Sequence, residues 1–551
     1  MIDGKYGAVY TPKKLADFVV YLLKSEIESS NNTLIVKKAL DPACGEGALL
    51  HALKKAFPST IRYCGIDIDA DVTNNISNEY DIYHMDTILP EAWKGKTVDY
   101  WKQKIGNVQL VIANPPWSSE KIYDKQRLEE AGFTLISGQY DSYVLFVEFA
   151  YQLLQPKGYF AFIIPDSIFD AQNEKLREFL TSNTQIKVIA RLGEKIFEGV
   201  NRATTVIVCQ KEVPDVNSRT ICFRLNTSDR KKYLNNKGSL IAFYEEGKHA
   251  VWQKRFITND SCNFDVDTRS EEEDLIVRIK AAGASLGHIF QFGRGVEISK
   301  SGEITVCELC GAAQGYKKKQ LTEGYKLCTV CGKITGVDDK TIRKVIVDSP
   351  MSGASKIIVG KDLHRYSCKS THFIVESIKG INYKNDDLYN APKLLVRKTG
   401  LGIYAAIDYS GVKTSQTVYI LRYTNKSTTC PIEYYLALLN SRVVYFYYLK
   451  IYGENEWKSH PYLTKQIIFS LPIASYEGSE IDRKIIELAK TLSYSNAYDK
   501  AIDEELESLI MEKYGLTERD KKMIISEMNA LPNLSSINDM KIKETDLCID
   551  I

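Results

Sequence analysis

The chain lacks most of what would place it outside the globular, reducing world. Its twelve cysteines in 551 residues are too few for a disulfide scaffold. No uncharged apolar run is long enough to span a bilayer. The opening MIDGKYGAVYTPKK has no basic-then-apolar signal pattern. These absences lead us to expect a soluble, cytoplasmic protein with no membrane partner. There is no fixed-period repeat, which argues against a solenoid, and no long low-complexity tract. What remains is ordinary globular composition, 44% hydrophobic and 26% charged, with enough chain for two to four domains.

The net charge of +2 conceals an asymmetry. Residues 286–420 carry twenty Lys and Arg against twelve Asp and Glu, a balance of +8. Residues 476–551 carry ten against seventeen, a balance of −7. A basic middle fits a polyanionic partner, and it equally fits chance clustering on a solvated surface.

The first third alternates helix and strand patterns. Leu15, Phe18, Val19, Leu22 and Leu23 follow helical spacing. Strands are expected at Ala39–Asp41, Ile61–Ile66, Gln109–Ala113, Tyr159–Ile164, Lys187–Leu192 and Thr204–Cys209, and a helix at Leu145–Leu154. This predicts a doubly wound, mostly parallel α/β domain over about 1–212. Beyond it we expect a connecting region (213–285), a mixed α+β domain (286–475) and acidic C-terminal helices (476–551). Tyr434–Leu449 reads as one helix.

Two motifs in the α/β domain carry chemistry. Asp41-Pro42-Ala43-Cys44-Gly45-Glu46-Gly47 sits between a strand and a helix, where glycines let backbone approach a ligand and the helix start offers free N–H groups. By itself it is also an ordinary tight turn. At the end of the next strand, Asp67 in Gly65-Ile66-Asp67-Ile68-Asp69 places a carboxylate where ribose hydroxyls can donate to it. Either Asp alone also reads as a cap or turn residue. Asn114-Pro115-Pro116-Trp117 follows the Gln109–Ala113 strand, at the sheet edge where open α/β folds bind ligands. Its plainer reading is a loop with an indole packed on the core.

A third motif is Cys307-x-x-Cys310, seventeen residues, then Cys328-x-x-Cys331, each pair followed by glycine. Two loops supplying two thiolates each suit a structural, tetrahedral zinc with no open position. Lys317-Lys318-Lys319 lies between the pairs, as a phosphate contact or as a solvated loop.

The order of these motifs resembles the gamma-class N6-adenine DNA methyltransferases, with Gly7-Ala8-Val9-Tyr10-Thr11-Pro12 in the position of the family's N-terminal motif. The resemblance implies a Rossmann-like methyltransferase sheet and a target-recognition domain, here carrying the knuckle at 305–334. It implies S-adenosylmethionine as methyl donor and double-stranded DNA as partner, in a prokaryotic, nucleoid-associated setting, with a separate restriction or defence protein alongside. Tyr10 and Thr11 would cover the cofactor. Asp41, Ala43, Cys44, Gly45 and Gly47 would hold its methionine end. Asp67 would take its ribose hydroxyls, Ile68 would also touch the cofactor, and Asp86 would meet its adenine; Asp86 also reads as a turn residue. Asn114, Pro115, Pro116 and Trp117 would be catalytic, with Asn114 also near the cofactor, and Trp117 and Phe197 would line the flipped-base pocket. Phe197 reads equally well as a core residue. The family more often has Tyr or Phe where Trp117 stands.

Further segments resemble DNA-recognition domains, among them Phe292–Val296, Leu394–Gly400, Tyr435–Ser441 and His460–Leu463. They make Arg294, Lys361, Arg365, Arg397 and Lys398 candidate DNA contacts, each also readable as plain surface charge. The N-terminal motif begins within ten residues of the start, so methylation without cutting is expected. Two other readings fit the motifs: a modification subunit needing a specificity partner, and a methyltransferase acting on RNA or on a protein glutamine.

Overall fold

The computed structural model describes residues 10–30, 34–74, 76–91, 93–117, 123–136, 140–199, 202–298, 302–424, 429–453, 462–495, 498–535 and 537–542. Gly7–Val9 of the N-terminal motif and His460-Pro461 fall outside them. The chain divides into two compact units, Met1–Glu271 with Lys450–Ser459, and Glu272–Leu449 with His460–Ile551. Among the described residues no helix is long and apolar enough to cross a membrane.

The first unit is built on nine strands: β1 (Lys38–Asp41), β2 (Arg62–Asp67), β3 (Asp81–His84), β4 (Val108–Ala113), β5 (Leu154–Pro165), β6 (Gln185–Gly193), β7 (Thr204–Gln210), β8 (Arg219–Arg224) and β9 (His249–Trp252). Their order across the sheet is β3-β2-β1-β4-β5-β7-β6-β8-β9. The strands from β3 to β5 are parallel, and β7 runs antiparallel to both β5 and β6.

Strict alternation along β4 and β5 covers both faces. Leu110, Ile112, Tyr159, Ala161 and Ile163 pack with the Lys13–Ser29 and Ala48–Ala56 helices. Val111, Ala113, Phe160, Phe162 and Ile164 pack with the Tyr143–Leu153 helix and Trp101. A strand buried on both sides reads as a continuous apolar run, which is why these two were plain in the sequence.

The sheet does not stop near residue 212. Strands β8 and β9 hydrogen-bond onto its β6 edge, so most of the expected connecting region belongs to this unit. Residues 450 and 451 return to it: the Thr268 hydroxyl donates to Lys450 O at 2.9 Å and the Asn263 amide to Ile451 O at 2.5 Å.

The second unit holds an antiparallel sheet of Phe290–Arg294, Val418–Tyr423, Lys393–Arg397 and Ala405–Asp408. A second four-stranded sheet is formed by Ile346–Val347, His372–Val375, Ala354–Ile358 and Lys413–Thr414. Leu395, Ala406, Val418 and Ile420 from one and Ile346, Ile357 and Ile374 from the other share a core.

The expected Tyr434–Leu449 helix is two helices, Ile432–Leu439 and Arg442–Tyr452. Asn440 interrupts them because its side chain completes the Ala405 strand, donating to Ala405 O and accepting from Ala405 N, both at 2.9 Å. The helices Glu480–Tyr494, Lys500–Lys513 and Glu518–Ala530 follow.

Candidate cofactor and catalytic site

Strand order reverses between β1 and β4, so the loops leaving their C-terminal ends diverge and open a crevice. The Asp41–Gly47 turn leaves β1 and Asn114–Trp117 leaves β4.

The β1 turn is held by its own carboxylate. Buried Asp41 accepts from the Ala43 N–H at 3.0 Å, and the Gly47 N–H donates to Cys44 O at 2.8 Å. Gly47 has φ +80°, and a Cβ there would meet Ile76 at 3.0 Å and His51 at 3.2 Å. Burial pushes the Asp41 carboxyl up to about 8, against the pull of the Ala43 amide. Asp67, at the end of β2, accepts from the Gly45 N–H at 2.8 Å and the Asp69 N–H at 3.0 Å, locking the two loops together.

Tyr10 lies over this turn, its ring 3.9 Å from where a Gly45 Cβ would stand. Partial burial, then the charges of Glu46, Asp69 and Asp67, push its phenol up. Ile68 beside them is exposed. This glycine cradle with an acidic rim, a covering aromatic and an exposed aliphatic side chain fits S-adenosylmethionine. That ligand carries a net positive charge together with a ribose and a flat base.

Cys44 turns its side chain inward. Its thiol is buried and turned under Gly65, where an added Cβ would lie 2.8 Å from the sulfur, and burial pushes the thiol far up. Cys44 therefore contributes its backbone to the turn, with its thiol packed beneath Gly65. Asp86 accepts from Ile88 N–H at 2.8 Å, Leu89 N–H at 3.2 Å and the Tyr123 hydroxyl at 3.1 Å, all on Oδ1. Burial raises its carboxyl against these donors.

The β4 loop is met from several directions. The Asn114 amide NH₂ donates to the Thr11 hydroxyl at 3.1 Å, joining the N-terminal and β4 motifs. The Trp117 indole donates to Ile163 O at 3.3 Å and stands edge-on to Phe197, with centroids 5.3 Å apart and planes at 89°. Phe197 is only 2% exposed and packs in the core as well as against the indole, as its reading as a core residue expects.

Sequence reasoning missed the groups behind this loop. The Ser142 hydroxyl donates to Pro116 O at 2.5 Å, and Arg202 donates to Trp117 O. Arg202 also pairs with Asp141 at 2.8 Å, and the Ser167 hydroxyl donates to that same carboxylate oxygen at 2.7 Å. The signal was slight: Asp141-Ser142 resembles an N-cap, yet Ser142 makes no capping bond to the helix that follows.

In the second unit the four cysteines converge, with Cys307–Cys331 and Cys310–Cys328 sulfurs 3.8 and 3.7 Å apart and all four within 4.8 Å. A zinc–thiolate bond of about 2.3 Å implies tetrahedral S···S edges of roughly 3.8 Å, so the cluster suits zinc. Two matching knuckles produce it: Gly311 N–H donates to Cys307 O at 2.8 Å and Gly332 N–H to Cys328 O at 3.0 Å, both glycines at φ +69°. Amides of Cys331 and Val330 hold the Cys328 thiol down at about 6.

The candidate DNA contacts separate. Arg294 and Lys361 are exposed and Arg397 and Lys398 half-buried. Partial burial, then the neighbouring Arg294 charge, lowers the Lys398 ammonium, with Glu297 opposing. Arg397 donates to Thr399 O at 2.7 Å.

Arg365 is a correction. It is 3% exposed and grips Asp503 with both terminal guanidinium nitrogens, at 2.8 and 3.1 Å, and donates to Asn440 O at 2.9 Å. Arg442 pairs with the same Asp503 at 2.8 Å and with Glu507 at 3.2 Å. A buried guanidinium cannot reach a phosphate, so Arg365 braces the fold.

The strand order, the antiparallel β7 and the β1 glycine turn define a class I S-adenosylmethionine-dependent methyltransferase fold. Within that class, residues 18–197 match the Eco57I restriction-modification methylase family and residues 355–473 the TaqI-like C-terminal specificity domain. The chain thus pairs a segment matching a restriction-modification methylase family with a later one matching a TaqI-like specificity domain.

It is 29% identical over 246 residues to the type II methyltransferase M.VspI of Vibrio sp. (strain 343), covering 44% of this chain and 57% of that protein. It is 28% identical over 211 residues to the type II methyltransferase M.BanIII of Aneurinibacillus aneurinilyticus, covering 35% of this chain and 36% of that protein. The matches thus span from about a third to just over half the length of these relatives. Among solved structures, the ATP-dependent type ISP restriction-modification enzyme LlaBIII bound to DNA aligns with a TM-score of 0.47 at 12% identity, over 88% of this chain and 39% of that one.

Proposed function

We propose that this chain transfers a methyl group from S-adenosylmethionine to N6 of an adenine flipped out of duplex DNA, at a sequence selected by its specificity domain. The observation that carries this reading is the placement of Asn114–Trp117 at the C-terminal end of β4, beside the β1 turn, with the Asn114 NH₂ turned to Thr11.

Bound S-adenosylmethionine supplies an electrophilic methyl group on a sulfonium. The chain must improve a poor nucleophile, because the lone pair of the adenine amino group is delocalised into the ring. With its NH₂ engaged by Thr11, Asn114 presents Oδ1 as a hydrogen-bond acceptor, and the Pro115 carbonyl is a second. Accepting both amino hydrogens pyramidalises the nitrogen and directs its lone pair, so catalysis is orientation and electrostatics. No covalent intermediate with the protein is involved. The target nitrogen is shielded in a stacked duplex, which requires extrusion of the base; Trp117, backed by Phe197, offers the stacking face.

The four-cysteine cluster would hold a structural zinc, and Arg294, Lys361, Arg397 and Lys398 would contact DNA. A restriction or defence protein would act beside this chain.

The test is single-molecule sequencing of DNA from a methylation-free host expressing this chain alone. One modified adenine motif supports the reading. Unmodified DNA from cells with folded, cofactor-binding protein refutes self-sufficient DNA methylation, and RNA and protein substrates are then assayed.

A further inference from the structure

The catalytic loop is fastened from behind by side chains outside every motif considered so far. Pro116 O accepts from Ser142 at 2.5 Å, and Trp117 O accepts from Arg202. Arg202 reaches a second acceptor, the carboxylate of Asp141, at 2.8 Å. Asp141 and Ser142 are adjacent, both buried, and stand at the head of the Tyr143–Leu153 helix. Ser167, just past the end of β5, donates to the same Asp141 oxygen at 2.7 Å.

We infer that Arg202 and Asp141 form a latch that sets the pitch of Trp117, and through it the acceptor geometry of Asn114 and Pro115; this rests on the methylation reading above. The loop Asn114–Trp117 is short, and its prolines remove two N–H groups, so it has few bonds of its own. Its carbonyls are the available handles, and Ser142 and Arg202 take two consecutive ones. The two terminal guanidinium nitrogens divide the acceptors, Nη1 taking the Trp117 carbonyl and Nη2 the Asp141 carboxylate, a fixed fork that lysine reproduces only in part.

The guanidinium is 39% exposed, while its carboxylate partner is buried at 3%. The latch is thus anchored in the core and bears on a residue that faces the extruded base. Arg202 and Asp141 are positioning residues: they touch the loop, and the loop touches the substrate.

The latch predicts a kinetic signature distinct from a folding defect. None of its contacts involves Asp41, Gly45 or Asp67, so cofactor affinity should be unchanged. A displaced loop should lower the single-turnover methylation rate by about 10- to 100-fold, the scale of a sub-ångström to 1 Å misplacement of reacting groups. Residues acting through one latch are not additive.

The test compares full-length wild type, Arg202→Met, Arg202→Lys, Asp141→Asn and the Arg202→Met/Asp141→Asn double variant. Readouts are S-adenosylmethionine binding by calorimetry, DNA affinity, single-turnover rate and fluorescence of 2-aminopurine at the target position. The inference expects wild-type cofactor binding, a 10- to 100-fold slower single-turnover step, altered 2-aminopurine emission, partial rescue in Arg202→Lys, and a double variant no slower than the worse single. Wild-type single-turnover rates in a folded Arg202→Met protein would overturn it, as would multiplicative losses in the double variant. Should wild type itself not methylate DNA, the functional reading fails, and the latch is then overturned only if 2-aminopurine emission is identical in wild type and Arg202→Met complexes.

Discussion

Replacing Asp503 with Asn tests whether the basic residues of the second unit act on DNA or on the fold. Asp503 is fully buried and serves Arg365 through two nitrogens, Arg442 through one, and the Tyr498 hydroxyl at 2.6 Å. Burial pushes its carboxyl up, but the Arg365 and Arg442 guanidiniums outweigh that and hold it at about 2.

In an unfolded chain an Asp titrates near 3.9, so the native environment favours the carboxylate by roughly two units, or about 2–3 kcal/mol. The folded pKa is depressed, so this stability is present above about pH 4 and lost as pH falls toward 2. The substitution costs more than protonation, because Asn turns an NH₂ toward two buried guanidiniums that have lost a counter-charge. Breaking a buried pair in this way costs about 3–5 kcal/mol, which lowers the melting temperature of a unit of this size by roughly 6–20 °C.

Calorimetric unfolding of the full chain measures the shift. DNA binding at several salt concentrations, measured on Arg365→Gln below its melting temperature, supplies the control. The salt slope should match wild type, whereas loss of a phosphate contact would reduce it by about one. An Asp503→Asn protein melting within about 2 °C of wild type would refute the buried-network argument.

Asn114→Ala should abolish methylation while leaving S-adenosylmethionine affinity within a few-fold of wild type by calorimetry, since its loss removes an acceptor and not the cofactor cradle. Cys328→Ser should lower bound zinc from one equivalent to none by elemental analysis and weaken specific DNA binding. Because burial raises the Asp41 carboxyl to about 8, cofactor affinity should rise from pH 6 to 8.5 as it ionises against the cofactor's positive charge, with proton release visible as buffer-dependent binding heat; Asp41→Asn should bind more weakly and show no such slope. Trp117→Ala should weaken binding to a duplex with the target base unpaired by about 5- to 150-fold, the worth of one base–aromatic stack of roughly 1–3 kcal/mol.

The legible parts of this chain are those where local chemistry and tertiary role coincide. Leu110–Ala113 and Tyr159–Ile164 are apolar on both faces because helices cover both faces, so composition alone announced them. Asp41–Gly47 was legible because its glycines adopt conformations other residues resist. Strand β3, Asp81–His84, is short and half-exposed, and β9 is likewise only four residues, so neither shows a burial pattern to read. The Arg202–Asp141 pair was invisible for another reason: its partners are 61 residues apart and meet only when the sheet forms. Arg365 misled because a lone arginine between polar residues looks exposed, and its acid lies 138 residues downstream in a helix whose charge appeared to be all surface.

The register of β1 against β4 pairs Ala39 with Leu110 and Leu40 with Val111. Two neighbouring strands stand about 4.8 Å apart, a spacing set by backbone hydrogen bonds and indifferent to side chains. The loops they launch therefore start from an inextensible ruler. On the methylation reading proposed above, exchanging side chains, strands or whole hairpins downstream would change the sequence selected on DNA, while the stride from donor to acceptor would stay set by the backbone hydrogen bonds between these two strands.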